Sequence, residues 1–357
     1  MEEKTLDEIR REIDAIDDQI LDCLNRRAAL VIEVGQLKAR KNQEFFVPSR
    51  ERAIYDRLSA RNKGPFPNGG IRNVYREIIS ASLSLEHPMT VAYLGPKATF
   101  TQMAAIRQFG VSARLVPAKS VSAVFDEVIR GRAQYGVVPV ENSNEGIVSH
   151  TLDMFFESDL KIYAEIHVEI SQCLLSLSGR MEDVRKICSH PVALAQCRKW
   201  LEENLPDIPQ VDVSSTALAA QMAAEDGATA ALSSEVAATL YGLRIIKKKI
   251  EDNPNNFTRF LVISKTTPEP SGNDKTSLMF SVRDEPGILY RMLEPFSKRN
   301  INLSKIESRP IKKKAWEYVF FLDLEGHINE PAIQEAVEEL GHYCQFVKLL
   351  GSYPKSG

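Results

Sequence analysis

The chain has 357 residues, 43% hydrophobic and 26% charged, with a formal net charge of −3 at pH 7. That length allows two or three domains, and the slightly acidic balance excludes a dedicated nucleic-acid binder. No apolar run approaches membrane-spanning length and the first residues are acidic and polar, which points to a cytoplasmic protein with no membrane partner.

In the first segment, apolar residues recur at Leu6, Ile9, Ile13, Ile16, Ile20, Leu24, Val31 and Val34 with no proline before Pro48. The spacing predicts a helix over 5–41, roughly 55 Å long. So small a segment cannot cover that stripe alone, which implies packing against a second copy. Shorter helices are expected over 49–61 and 71–85, divided by Gly64-Pro65-Phe66-Pro67-Asn68-Gly69-Gly70. Arg27 and Lys38 lie three turns apart on one face, about 16 Å, and two such cations can grip a small dicarboxylate. Arg10, roughly 25 Å from Arg27, reaches the same place only from another helix, plausibly that of a second copy. Each of these charges alone also fits a solvated helix face.

After His87-Pro88 the pattern changes to alternating strands and helices: 90–94, 101–109, 113–116, 121–130, 135–140 and 147–157. A second run follows at 166–177, 185–189, 192–204, 210–213, 216–224, 229–232, 235–241, 245–250 and 257–264. This predicts an α/β domain with mainly parallel sheet, in two lobes around a cleft. Polar motifs fall at the strand ends: Gly95-Pro96-Lys97-Ala98-Thr99, Glu141-Asn142-Ser143-Asn144-Glu145-Gly146, Ser189-His190-Pro191 with Gln196, and Ser214-Ser215-Thr216. Each alone fits helix capping or a turn. In Asn256-Phe257-Thr258-Arg259-Phe260, a threonine between two aromatics can act as a fixed hydrogen-bond donor, and Arg259 can hold a carboxylate bidentately. The same stretch also fits an ordinary strand start.

Thr267-Pro268-Glu269-Pro270-Ser271-Gly272-Asn273 reads as a linker. Beyond it, strands over 275–283, 303–308, 315–324 and 344–350 and helices over 288–298 and 331–340 give a βαββαβ, ferredoxin-like order. Pro286-Gly287 opens a helix whose free N–H groups can receive a carboxylate. Cys23, Cys173, Cys188, Cys197 and Cys344 show no metal-ligand spacing, so buried free thiols are expected.

The first segment resembles the all-helical chorismate mutases, through Arg10-Arg11-Glu12-Ile13-Asp14, Asn25-Arg26-Arg27, Val34-Gly35-Gln36-Leu37-Lys38, Ser49-Arg50-Glu51 and Ser80-Ala81-Ser82. The resemblance implies carboxylate binding by Arg10 (from the other subunit) and Arg27, contact of Lys38 with the ether oxygen, and a pocket completed by Arg50, Glu51 and Ser82. Val47 stands where a polar residue is common, so the substrate hydroxyl depends more on Glu51. Glu86 stands where some members place Gln. A carboxylate there helps only when protonated, which predicts that mutase activity falls as pH rises.

The middle segment resembles the prephenate dehydratases, whose fold implies a two-lobed, periplasmic-binding-protein-like domain. The family's donor matches Thr258, and Thr99, Glu141, Asn142, Ser143, Ser189, Gln196 and Arg259 would bind substrate, with Arg259 possible instead as an organiser of the cleft. Ala98 replaces a usual Gly, and Val192 a usual Gln. The last segment resembles the ACT regulatory domains of phenylalanine-inhibited dehydratases. Its effector residues would be Gly287, Ile288 and Leu289, with Glu307, Ser308 and Arg309 from Glu307-Ser308-Arg309-Pro310, while Ile288 and Tyr290 are bulkier than usual.

The resemblance therefore implies a three-domain enzyme with boundaries 1–87, 88–266 and 273–357. It would convert chorismate to prephenate and prephenate to phenylpyruvate under L-phenylalanine control, as a homodimer or homotetramer, with no metal or organic cofactor. An arogenate dehydratase and a non-catalytic amino-acid sensor are the alternatives.

Overall fold

In a computed structural model, residues 4–41, 45–282, 285–310 and 318–356 are described. They fall into two units, Met1–Met89 with Phe109–Arg114, and Thr90–Gln108 with Leu115–Gly357.

The first unit is built on α1 (Leu6–Lys41), α2 (Pro48–Arg61) and α3 (Asn68–Glu86). Helix α1 starts in a capping box: Thr5 Oγ1 accepts from Glu8 N at 3.3 Å and Glu8 Oε2 accepts from Thr5 N at 2.8 Å. Pro48 supplies the first turn of α2, where its missing N–H costs nothing. Ile71, Ile79 and Leu83 bury the inner face of α3. The stripe on α1 is uncovered: Leu6, Ile9, Ile13, Ile16 and Ile20 are 42–62% exposed, and Gly35 is the buried residue of the helix.

The second unit contains three sheets. The first lobe runs β1 (Thr90–Leu94), α4 (Phe100–Phe109), β2 (Arg114–Ala118), α5 (Val121–Ile129), β3 (Tyr135–Asn142), β4 (Gly146–Ile147), α6 (Ser149–Glu157) and β5 (Lys161–Glu169). The second lobe runs β6 (Cys173–Ser176), β7 (Lys186–Ser189), α7 (Pro191–Gln196), α8 (Arg198–Asn204), β8 (Gln210–Asp212), α9 (Thr216–Glu225), β9 (Thr229–Ser233), α10 (Glu235–Tyr241) and β10 (Arg244–Lys247). The chain then returns along β11 (Phe257–Ser264) into the middle of the first sheet, whose order is β2-β1-β3-β11-β5. The second sheet is β10-β6-β9-β7-β8.

Both sheets are mixed, which corrects the expectation of mainly parallel pairing. The chain leaves the first lobe along β5 and re-enters along β11, and β11 runs antiparallel to both β5 and β3. For the same reason the apolar run 166–177 is two strands in two sheets, divided at Ile170-Ser171-Gln172. There Gln172 N donates to Glu251 Oε2 at 2.8 Å, which ties the two crossing segments together. The helix expected over 192–204 is broken at Cys197.

The C-terminal segment is β12 (Asp274–Val282), α11 (Ile288–Lys298), β13 (Leu303–Pro310), β14 (Tyr318–Glu325), α12 (Pro331–Gly341) and β15 (Cys344–Pro354), in sheet order β13-β14-β12-β15. This is the ferredoxin-like arrangement; the expected strand residues Arg283 and 315–317 lie outside the described residues. One face of this sheet packs on α11 and α12 through Phe280, Phe296 and Leu340. The other shares a core with the first lobe, where Met279, Phe321, Leu350 and Tyr353 meet Val140, Leu152, Phe155 and Leu261. Full burial of one such aromatic is worth about 1.5–3 kcal/mol, so this sheet is part of the first lobe's core and not an appendage. A Cβ at Gly351 would collide with the backbone of Ile162, so glycine lets β15 pass β5 closely.

Candidate active sites

In the helical unit, the seam between α1 and α3 gathers four of the expected residues. Arg27 Nη1 donates to Ser82 Oγ, which donates to Ile78 O at 2.6 Å. Lys38 Nζ donates to Phe45 O at 2.9 Å and lies 3.3 Å from Glu86 Oε2. The Glu86 side chain is 7% exposed, because Gly35 lets α1 pass within van der Waals reach of it: a Cβ there would lie 3.2 Å from Glu86 Cα. The carboxyl expected to need protonation is therefore paired with the lysine expected to meet the ether oxygen. Burial instead pushes the half-buried Glu51 carboxyl on α2 up to about 8. Arg50 is exposed beside it, and Arg10 is exposed, 3.6 Å from Asp7.

In the α/β unit, four amide and hydroxyl side chains converge where the lobes cross. Asn142 Nδ2, at the end of β3, donates to Thr258 Oγ1 and to Asn256 Oδ1, both at 2.8 Å. Asn256 Nδ2 donates to Gln196 Oε1 at 3.1 Å, at the end of α7 in the second lobe. Gln196 Nε2 lies 3.4 Å from Glu145 Oε1. Thr258 is 8% exposed and Asn256 is fully buried. The Thr258 oxygen thus accepts from Asn142, which leaves its own proton free to be donated.

Other expected residues hold the scaffold. Ser143 Oγ donates to Asn255 O at 3.1 Å and accepts from Phe257 N at 3.0 Å, stapling the β3–β4 turn to β11. Ser189 is fully buried with its hydroxyl on Leu232 O at 2.7 Å. Thr99 Oγ1 donates to Pro96 O at 3.1 Å at the start of α4. Ala98, at the position where glycine is usual, does adopt a positive φ of 62°, with its methyl buried in the second lobe's core.

Arg259 does not face the cleft. Successive side chains of a strand point to opposite faces, and Arg259 crosses to the C-terminal sheet. Its Nη1 donates to Asp323 Oδ2 at 2.6 Å and its Nη2 to Tyr353 Oη at 2.9 Å. Its Nε lies 2.9 Å from Glu165 Oε2, an ion pair whose N–H is not aligned for a hydrogen bond. Lys275 Nζ also meets Glu165, at 2.8 Å. Burial would push Glu165 up, but Arg259 and Lys275 more than offset that and hold its carboxyl below the ordinary value.

Glu141 is likewise held from the C-terminal segment: Lys305 Nζ on β13 is 2.6 Å from its Oε2. Arg309 of the same strand donates to Ser149 O at the start of α6 and pairs with Asp153 of that helix at 3.0 Å. Lys348 on β15 donates to Phe155 O at 3.0 Å near the other end of α6. Glu307 is half-buried and Ser308 exposed. Gly287 has φ 78° and precedes α11, with Ile288 half-buried and Leu289 and Tyr290 55% and 71% exposed.

Asn256 and Glu145 stand within motifs read from the sequence but carried no role there, although a polar amide two residues before Thr258 was a usable signal. Lys305, Asp323 and Glu165 carried no signal, since only the docking of two segments distant in sequence brings them to the cleft strands. Among the described residues, no group of three or more His, Cys, Asp or Glu is placed to hold a metal ion, and no helix is long and apolar enough to cross a membrane.

Three family models match the chain in order: chorismate mutase type II over residues 9–87, prephenate dehydratase over 91–268 and the ACT domain over 276–342. The chain is 54% identical over 355 residues to the bifunctional chorismate mutase/prephenate dehydratase of Aquifex aeolicus, covering 98% of each. It is 43% identical to that of Stutzerimonas stutzeri, over 98% of this chain and 97% of the relative. Among solved structures it resembles the prephenate dehydratase of Arthrobacter aurescens in complex with L-Phe, at 36% identity and a TM-score of 0.69, over 74% of this chain and 90% of that one.

Proposed function

The chain belongs to the bifunctional chorismate mutase/prephenate dehydratase family, and on that footing we propose how its own residues divide the work among domains at 1–87, 88–266 and 273–357. The mutase step is a Claisen rearrangement of chorismate to prephenate. It needs a compact substrate conformer and positive charge at the ether oxygen as that bond breaks. Arg27 and Arg10 of a second copy bind carboxylates, Lys38 supplies charge to the ether oxygen after releasing Glu86, and Glu51 binds the hydroxyl, with Arg50 and Ser82 completing the pocket. The uncovered stripe on α1 supports the second copy.

In the dehydratase step, the bond from the ring to its carboxylate breaks and carbon dioxide leaves. The electron pair completes the aromatic ring, and the ring hydroxyl departs as water after taking one proton. Thr258 donates to that departing oxygen. The observation that carries this assignment is the Asn142 amide donating into Thr258 Oγ1 at 2.8 Å, which turns the threonine proton outward. A threonine is a weak acid, so it acts as a positioned donor and not as a free-standing acid. Gln196 orients the substrate's carboxylates, while Thr99, Ser143 and Ser189 keep the cleft's walls in place; Glu141, opposite Arg259 on the other face of the sheet, ties β3 to β13.

The C-terminal segment takes L-phenylalanine at Gly287, Ile288 and Leu289 with Glu307, Ser308 and Arg309. The L-Phe complex of the Arthrobacter aurescens relative supports this. The test is incubation with chorismate, following chorismate loss and phenylpyruvate appearance with and without L-phenylalanine. Both signals, with product suppressed by L-phenylalanine, are expected; accumulation of prephenate would overturn the role of Thr258.

A further inference from the structure

The polarity of the cleft's amides can be read outward from backbone groups whose hydrogens are unambiguous. Asn142 Oδ1 accepts from Asn144 N at 2.9 Å and from Glu145 N at 3.0 Å. Two backbone N–H groups fix that side of the amide as oxygen, so the other side, facing Thr258 and Asn256, is the NH2 group. The Asn256 atom that meets it at 2.8 Å must then be oxygen, and its own NH2 must face Gln196. The Gln196 atom that receives it at 3.1 Å must in turn be oxygen, which leaves the Gln196 NH2 directed away from the crossing, toward Glu145.

We infer that Asn256 is a positioning residue for the dehydratase: as acceptor from Asn142 on one side and donor on the other, it relays the polarity set at Asn142 and fixes Gln196 so that its N–H groups are presented outward. This rests on the dehydratase reading of the cleft. Asparagine is suited to this place because it is fully buried and must satisfy opposite demands at its two ends. Its backbone is held as well, since Ile170 N donates to Asn256 O at 2.7 Å where the chain crosses between lobes. An anionic substrate meeting Gln196 finds a donor only while this polarity is kept. With the chain of bonds reversed at Asn256, the Gln196 oxygen would face the substrate carboxylate.

The substitution Asn256→Asp separates this role from simple packing. The shapes are nearly identical, but an ionised aspartate only accepts, so it flips Gln196; a protonated one can again donate to Gln196 Oε1. Carboxylates on the surrounding segments are the same in both proteins. Glu141 faces Lys305, Glu169 faces Lys249, Glu251 holds Gln172 N, Asp252 holds the N–H groups of Lys199 and Trp200, and Glu145 faces Gln196. The ratio of variant to wild type therefore isolates position 256.

The experiment is prephenate turnover by the full chain from pH 6 to 8.5, with uncatalysed decomposition subtracted, alongside the urea midpoint of the second unit as the control for folding. At pH 8 the variant's KM for prephenate is expected to rise roughly tenfold or more, one lost buried hydrogen bond's worth. Its kcat should fall less, and the ratio to wild type should recover as pH drops. A variant/wild-type ratio flat with pH, with that midpoint intact, would overturn the role. If Asn256→Asp lowers the midpoint so far that the second unit is unfolded in the assay, Asn256→Ser replaces it. One hydroxyl cannot serve both neighbours well, so a loss without pH recovery is expected, and wild-type KM and kcat would overturn the inference. Wild-type protein that does not turn over prephenate at all would instead remove the dehydratase reading.

Discussion

Arg259 and Asp323 meet at 2.6 Å, and through them the strand that carries Thr258 is bound to the sheet of the C-terminal segment. Tyr353 and Ser277 close the same cluster: the Ser277 hydroxyl reaches Asp323 and lies 2.6 Å from Tyr353 Oη. A mobile surface ion pair would contribute little. This one is buried, joins two segments and stands one residue from the proposed donor.

Replacing Arg259 with Met leaves Glu165 and Asp323 buried with fewer partners. Removal of one member of a buried pair typically costs about 3–5 kcal/mol. The expected outcome is a lower urea midpoint for the second unit and reduced dehydratase activity with mutase activity unchanged. The pH dependence follows from Glu165, whose folded carboxyl is held below its ordinary 4.5. Its stabilisation is complete above that value and is lost as pH falls through the lowered one. Without Arg259 the acid-side loss becomes shallower, which urea melts between pH 3 and 6 can check.

Replacing Lys305 with Met releases Glu141 from β13 while leaving Glu307, Ser308 and Arg309 in place. L-phenylalanine binding, measured by calorimetry, is expected to persist, and inhibition of the dehydratase to weaken severalfold. Unaltered inhibition would show that β13 does not signal through Glu141. The α6 contacts of Arg309 and Lys348 would then be the route to examine.

The two carboxyls of the mutase site are expected to behave differently. Glu51 stands at about 8 through burial, so it is protonated at neutral pH and donates to the substrate. Its folded value lies above the unfolded one, so its contribution to stability is complete below 4.5 and is lost as pH rises toward 8. A rise in KM for chorismate near pH 8 should disappear in Glu51→Gln, and that variant's urea midpoint should fall less between pH 6 and 8.5. Glu86→Gln is expected to free Lys38 and raise mutase kcat/KM; an unchanged kcat/KM would remove Glu86 from the mechanism.

Thr258→Val keeps the shape and removes the donor, leaving the Asn142 amide with one partner fewer. Loss of a positioned proton donor is typically ~10²–10⁴-fold in rate. Dehydratase kcat should fall in that range while mutase turnover is unaffected, measured on the same preparation.

Much of this was legible in sequence because the signals were local. The period of Leu6, Ile9, Ile13, Ile16 and Ile20 located α1, Pro48 and the Gly-Pro cluster located the helix breaks, and the alternation around 275–350 gave the βαββαβ order. The pairing direction of β5 and β11 was not legible, since it depends on which strands leave a lobe and which return. Arg259 shows the same limit: its residue type suited a carboxylate ligand, and only the docking of β12, β14 and β15 decided which carboxylate. Ser189 and Ser143 carried the right chemistry for binding, yet their hydroxyls are taken up by backbone groups that no spacing rule reveals.

On β11 the pleat sends Thr258 to one face and Arg259 to the other. Neighbours in the chain therefore answer to different demands, one to the reacting molecule and one to the C-terminal sheet. The strand cannot gain or lose a residue ahead of this pair without exchanging the two sides, so insertions that a loop would absorb are barred here. Within this fold, the length of β11 is not free to vary.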